Sequence, residues 1–163
     1  MLSKKIIGML RLFRLELPLA AGVCVVTGQI LALGGLPQIQ AGILGFVCVF
    51  CLSSSALIFN DYFDYEVDKI NQPNRPLPSG VVSRSEVIGL AVVTTLVGFF
   101  ASFALSLYAL LVSGIIWLIG FLYNWRYKQT GLLGNLMVST SVAATFIFGA
   151  ITVQAPWNGI VWI

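Results

Sequence analysis

The sequence predicts an all-α fold, a polytopic bundle of transmembrane helices, and three observations carry that prediction. Hydrophobic residues make up 58% of the 163 and charged residues only 9%, against roughly 25% charge in soluble domains. Mean hydropathy is +0.96, so there is too little polar surface to clothe a globule in water. Apolar runs of about 20 residues, the length that crosses a hydrocarbon core, recur along the chain between short segments that hold the charge.

The first run extends from about Leu15 to Leu33 and is stopped by Gly34, Gly35 and Pro37. Lys4, Lys5, Arg11 and Arg14 precede it in the manner of a signal peptide's basic flank. No convincing small-x-small cleavage site follows and more spans do, so the segment reads as retained. The second run, from Ile39 to Phe59, passes without a breaker into Asn60-Asp61-Tyr62-Phe63-Asp64-Tyr65-Glu66-Val67-Asp68. A polar stretch with Pro73, Pro76, Pro78 and Gly80 then leads to Ser83 and Glu86, a Ser-x-x-Glu capping box that starts the third helix.

From Val87 to Trp125 there are 39 residues without a charge. As one helix they would extend about 58 Å, nearly twice the roughly 30 Å of hydrocarbon. Two antiparallel spans with a tight turn near Ser106-Leu107-Tyr108 fit better. A fifth span runs from about Leu132 to Val153, and Gln154 to Trp157 punctuate the chain before Ile163.

The charges are sorted. Four Lys/Arg lie in the N-terminal tail, Lys69, Arg75 and Arg84 after the second span, and Arg126 and Lys128 after the fourth, which accounts for all nine. The alternate connections hold none. The positive-inside rule then places the N-terminus and the charged loops in the cytoplasm. With no histidine, triads and imidazole shuttles are excluded. A net charge of +3 without a long basic run excludes a nucleic-acid partner.

Asp61, Asp64, Glu66 and Asp68 crowd into eight residues at the cytoplasmic end of the second span. On a continuous helix at about 100° per residue, Asp61, Asp64 and Asp68 share one face, with Asn60 leading a neighbouring row and Glu66 pointing elsewhere. Three carboxylates on a stripe repel one another unless a cation or protons intervene. Only Lys69 stands nearby in sequence. Oxygen ligands without His or Cys suit Mg²⁺, which takes one or two carboxylates and completes its shell with phosphate oxygens and water. The cluster therefore reads as half of a metal–diphosphate site. Arg75 has the planar fork for phosphate oxygens. Tyr123 and Lys128 flank the second charged loop, and Arg126 reads as an anchor.

These residues resemble the UbiA superfamily of intramembrane prenyltransferases. The likeness lies in Asn60-Asp61-x-x-Asp64-x-x-x-Asp68, the Arg75-Pro76-x-x-x-Gly80 loop, and Tyr123-x-x-x-x-Lys128 followed by Gly134-Asn135. The resemblance implies a bundle of nine helices around a cavity open to the membrane, of which about five are present. Residues 1–163 would then be the N-terminal part of one transmembrane prenyltransferase domain. It implies Mg²⁺-dependent transfer of a polyprenyl group from its diphosphate to a lipophilic acceptor, an aromatic quinone or haem precursor or an isoprenoid glycerol phosphate. Asn60, Asp61, Asp64 and Asp68 would hold the metal, and Arg75, Tyr123 and Lys128 would bind the diphosphate and stabilise it as it leaves.

Two departures accompany the match. The family's second Asp-x-x-x-Asp motif is missing, since no acid follows Glu86, and Arg14-Leu15-Glu16-Leu17-Pro18 replaces the Arg-Pro start of the first span. The 163-residue chain alone is therefore expected to be inactive. Two other classes stay open at this point: a non-catalytic membrane scaffold or assembly partner, and half of a cation-binding transporter. Against the transporter, the acids sit at one interface and not at the midplane.

Three weaker signals have structural readings. Cys48-x-x-Cys51 and Cys24 lie within spans and read as small hydrophobes. Gly42/Gly45 and Gly114/Gly120 read as close helix packing. Trp117, Trp125, Trp157 and Trp162 read mostly as interface anchors. Phe59, Phe63 and Tyr65 either line a prenyl channel or pack against one another.

Overall fold

A computed structural model describes residues 2–154. It is all-helical there: α1 (Leu2–Leu12), α2 (Glu16–Leu33), α3 (Ile39–Phe63), α4 (Tyr65–Asn71), α5 (Arg84–Leu105), α6 (Leu107–Leu122) and α7 (Leu132–Thr152), with a π-helical turn, Tyr123–Tyr127, continuing α6. Five of these segments are long and apolar enough to cross a membrane. They begin and end where the sequence signals stand. Gly34 closes α2 at φ +65°, a left-handed conformation that costs glycine nothing. Ser83 and Glu86 form both bonds of the capping box of α5, and Ser106 alone makes the turn into α6, its hydroxyl accepting from the Ala109 N–H.

Two features differ from the expected layout. The basic N-terminal segment is a helix, not a tail. Leu12 of α1 is buried with Ile58, Leu77, Val82 and Val87, while Ile6, Ile7 and Leu10 stay exposed. That two-sided pattern suits a helix lying in the membrane interface. The acidic stretch is also not one unbroken helix. Asp64, at φ −82° and ψ 3°, separates α3 from α4. The i→i−4 bonds nevertheless continue through it, Asp64 N–H to Asn60 at 2.9 Å and Asp68 N–H to Asp64 at 2.7 Å, so the shared acidic face survives.

In the bundle α5 lies along α3, and α2 packs between α3 and α7. Small residues set the closest approaches. A Cβ on Gly28 would run into the Phe146 backbone, and one on Gly149 into the Val25 carbonyl, so here the helix backbones touch. Of the glycines expected to do this, Gly45 packs against Gln29, whereas Gly114 and Gly120 have nothing near them. Gly120 instead walls a cavity. Polar groups are tied between helices: Ser102 to Ser113 at 2.9 Å, Gln29 Nε2 to Thr152 at 2.9 Å, and Trp117 Nε1 to Ser55 at 2.8 Å. Each such bond contributes about 1 kcal/mol in a membrane.

Trp117 is thus an interior residue of α6 and not an interface anchor; its ring stacks on Phe121 at 5.4 Å. Trp125 is exposed near the end of its span, as expected, and Trp157 and Trp162 lie outside the described residues. Cys48 and Cys51 are buried and free, and Cys24 is free.

Candidate functional site

The ends of the spans that carry basic residues meet in one mouth. The final turn of α3 delivers Asn60 and Asp61, the α3–α4 junction Asp64, and α4 Asp68. Asp61 and Asp68 are buried, Asp64 is partly so, and Glu66 is exposed. The face read from the sequence is therefore the face the fold turns inward.

Each buried acid already has a cation. Arg75 Nη1 donates to Asp68 at 2.6 Å and reaches Asp61 at 3.5 Å. Arg14 pairs with the same Asp61 oxygen, and Lys128 pairs with Asp64. The repulsion expected along the acidic stripe is thus relieved by the protein's own Arg and Lys, supplied from three separate segments. Lys69, the basic neighbour in sequence, turns away to Glu66 at 3.3 Å and covers the Tyr65 ring. The Tyr65 hydroxyl, and then the Glu66 carboxylate, hold its ammonium above the ordinary lysine range.

Local structure fixes each cation. The proline-rich loop is pinned by buried Leu77 and Val82 and by backbone bonds from Ser79 to Arg75 (3.0 Å) and Val82 to Pro76 (3.1 Å). Gly80 supplies the φ of +74° that its turn needs. Lys128 is placed by the π-turn, its N–H bonding Tyr123 O at 2.9 Å. This widened register adds one residue to the helix and often marks a functional position. Gly134 lets α7 approach the turn, since a Cβ there would stand 2.8 Å from Tyr127 O.

Sequence reading missed two members of the mouth. Arg14 sits between α1 and α2 at φ +44°, a left-handed conformation that costs a non-glycine residue about 1 kcal/mol. A strained arginine aimed at a buried acid is a functional signal, but the positive-inside pattern had absorbed it. Asn124 donates to Ala56 O at 2.9 Å and faces Asn60. Its signal was an amide at the end of an apolar span. One terminal atom of the Asn60 amide stands 3.0 Å from Asn124 Oδ1 and 2.9 Å from Lys128 Nζ. As nitrogen it bonds Asn124, and as oxygen it accepts from Lys128; it serves only one at a time.

Behind the mouth lies a cavity of about 570 Å³, entered past Arg14, Asn60 and Tyr123, within the roughly 300–1,000 Å³ typical of ligand sites. Its body is walled by small residues, among them Ala21, Ser53, Ala56, Gly120 and Ser141. A further pocket of about 110 Å³ shares that wall and ends on Trp117 and Phe148. Phe59 and Phe63 do not line it. They pack edge-on to Phe121 at 5.3 and 5.7 Å, which settles their role as packing, while Tyr65 serves Lys69 and Arg84.

Among the described residues, no three His, Cys, Asp or Glu side chains converge to hold an ion by themselves. The donors present are hard oxygens, and Mg²⁺ ordinarily needs only one or two carboxylates when phosphate oxygens complete its shell. The set fits an ion that arrives with phosphate and not a preassembled cage.

Comparison with known proteins identifies the family. The pattern of the UbiA prenyltransferase family matches residues 21–163. The digeranylgeranylglyceryl phosphate synthase of Thermococcus kodakarensis is 38% identical over 135 residues, 83% of this chain and 49% of that protein. The synthase of the same name from Pyrococcus furiosus is 38% identical over 146 residues, 90% of this chain and 53% of that one. The chain spans about half the length of the curated relatives it matches. A solved structure from work on digeranylgeranylglyceryl phosphate synthase in membranes superposes with a TM-score of 0.89 at 28% identity, covering 93% of this chain and 55% of that one. The apo structure of a UbiA homolog from Aeropyrum pernix K1 shares the fold, with a TM-score of 0.76 at 23% identity over 91% of this chain and 55% of that one. An acidic face met by three cations at the mouth of an apolar cavity, in a five-span bundle matched along nearly its whole length, places the chain in the UbiA prenyltransferase family.

Proposed function

We propose that the full-length protein transfers a prenyl group from its diphosphate to the free hydroxyl of a lipophilic acceptor. We propose an isoprenoid glycerol phosphate as that acceptor, the class named in the relatives at 35–41% identity. The observation that carries the reading is the pairing of Asp61, Asp64 and Asp68 with Arg14, Arg75 and Lys128 at the entrance of the cavity. An apolar cavity alone suits any lipid. Carboxylates and cations in matched pairs at its mouth suit a metal-bound diphosphate, because each pair can separate into a carboxylate for the metal and a cation for the phosphate.

Asn60, Asp61, Asp64 and Asp68 would hold Mg²⁺, which when bound neutralises charge on the pyrophosphate leaving group. Arg75 and Lys128, released from their acids, donate to the diphosphate oxygens, where charge grows as the allylic C–O bond breaks. Tyr123 lines the entrance beside them and supplies a neutral hydroxyl donor. The small-residue walls seat the prenyl chain and keep water from the carbocation until the acceptor hydroxyl attacks. The hydroxyl proton passes to the departing pyrophosphate as the new C–O bond forms. The mouth faces the cytoplasm in this reading, where water-soluble pyrophosphate departs.

In the full-length protein, Asp64→Asn and Asp68→Asn are each expected to lower prenyl transfer by more than about 10²-fold, the scale of losing one preorganised charge partner. Membrane insertion and elution as a single folded species should be unchanged. Wild-type turnover in either variant rules the assignment out.

A further inference from the structure

Arg14 lines both the cavity and a second recess. That recess, about 270 Å³, is lined by Arg11, Arg14, Asp61, Gln72, Asn74 and Arg75. Arg14 and Arg75 are met by Asp61 and Asp68. Arg11, from the last turn of α1, makes no ion pair among the described residues. The side-chain amides of Gln72 and Asn74 likewise make no hydrogen bond there. The recess thus holds one positive charge and two amide donors that the carboxylate–cation cluster leaves free, in a concave site beside Asp61.

The proposed acceptor needs such a place. A digeranylgeranylglyceryl phosphate carries two prenyl groups and one phosphate on a three-carbon glyceryl unit. Its precursor therefore has a free hydroxyl only a few bonds from a phosphate monoester. When that hydroxyl reaches the reacting carbon, its phosphate lies close to the departing diphosphate, and the two anions repel unless separate cations hold them. Tyr123 lines the cavity and not the recess, Arg11 lines the recess and not the cavity, and Arg14 lines both, with Asp61 and Arg75 shared between the recess and the carboxylate–cation cluster. We infer that this recess seats the phosphate monoester of the acceptor, with Arg11 as its charge-assisted donor and the Asn74 and Gln72 amides beside it. Arg14 then marks the divide between the lipid tail in the cavity and the head group in the recess. The inference rests on the acceptor proposed above.

The test compares geranylgeranylglyceryl phosphate with its phosphate-free alcohol as acceptors, using full-length protein in nanodiscs of neutral phospholipid. In Arg11→Gln, the ratio of kcat/KM for the phosphorylated over the free alcohol should fall about tenfold, the scale of one charge-assisted hydrogen bond. Equilibrium binding of the phosphorylated acceptor without donor should weaken by a similar factor, and Arg11→Lys should keep most of the ratio. An unchanged ratio in a wild-type-like folded variant overturns the seat. An equal loss with both acceptors also overturns it, and a loss that appears only in anionic-lipid nanodiscs overturns it and assigns Arg11 to a membrane head group. If the wild-type protein does not use the phosphorylated acceptor, the proposed acceptor fails and the seat fails with it; if it does, only the Arg11 arm decides the seat.

Discussion

Asp61 shows how a single buried acid ties the mouth together. Its side chain is only 5% exposed, and Arg14 and Arg75 both contact the same oxygen. Removing Arg14 leaves that carboxylate with one long contact at 3.5 Å. Arg14→Leu should therefore destabilise the protein by about 1–3 kcal/mol, since the desolvated acid keeps its cost and loses most of its compensation. The double variant Arg14→Leu/Asp61→Leu should recover most of the thermal stability, because apolar replacements for a buried pair are often neutral, while transfer stays lost. Thermal unfolding in detergent beside a transfer assay checks this, and a double variant no more stable than Arg14→Leu would contradict the pairing. Asp61, Asp64, Asp68, Arg75 and Lys128 were legible in the sequence because their spacing carries the chemistry. Arg14 was not, because a basic residue before a first span has an ordinary topological explanation.

The π-turn is the element that makes Lys128 useful. One extra residue between Tyr123 and Lys128 lets the chain bond i to i−5, and the register places the ammonium against Asp64. Inserting one alanine after Trp125, whose side chain is exposed, adds a second extra residue that one i→i−5 bond does not absorb, and should rotate Lys128 by about 100°. The expected outcome is at least about 10²-fold loss of transfer with helical circular dichroism and solubilised yield unchanged; full activity would show that the turn does not position Lys128. Sequence reading located the five spans found among the described residues and the Ser106 break, because length, hydropathy and caps are local properties. It did not see α1 as a helix. Eleven residues are marginal as an isolated helix, and α1 gains its stability by burying Leu12 against the proline-rich loop. Nor could it see the π-turn, whose extra residue is visible only against Asp64 and α7.

The whole molecule turns a ring of short side chains into volume. Ala21, Ser53, Ala56, Gly120, Ser141 and Thr145 come from α2, α3, α6 and α7 and leave the cavity between them. Thr145 also borders the deeper pocket that ends on Trp117 and Phe148. Filling that depth with Thr145→Trp should restrict the protein to shorter prenyl diphosphates, because the chain's far end would meet an indole. In competition between C10 and C20 donors, preference should move toward C10 by about tenfold or more, as several methylenes lose their place at a few-fold to a hundredfold each. An unchanged preference would place the prenyl chain elsewhere.

That the protein crosses a membrane as helices, that its nine basic residues fall on one side, and that its acids lie on one face at that side are all readable from the chain alone. Those follow from hydropathy, length and helical period, which need no partner. Which cation meets which acid depends on how the helices pack. That packing shows that the stripe's repulsion is relieved by Arg14, Arg75 and Lys128 from separate segments, and that small residues and not Phe59 or Phe63 wall the cavity. The reason is physical: ion pairs and cavities are properties of surfaces brought together. Arg14 and Asp61 stand 47 residues apart in the chain, and Lys128 and Asp64 stand 64 apart; only the packing of α2, α3 and α6 makes them neighbours.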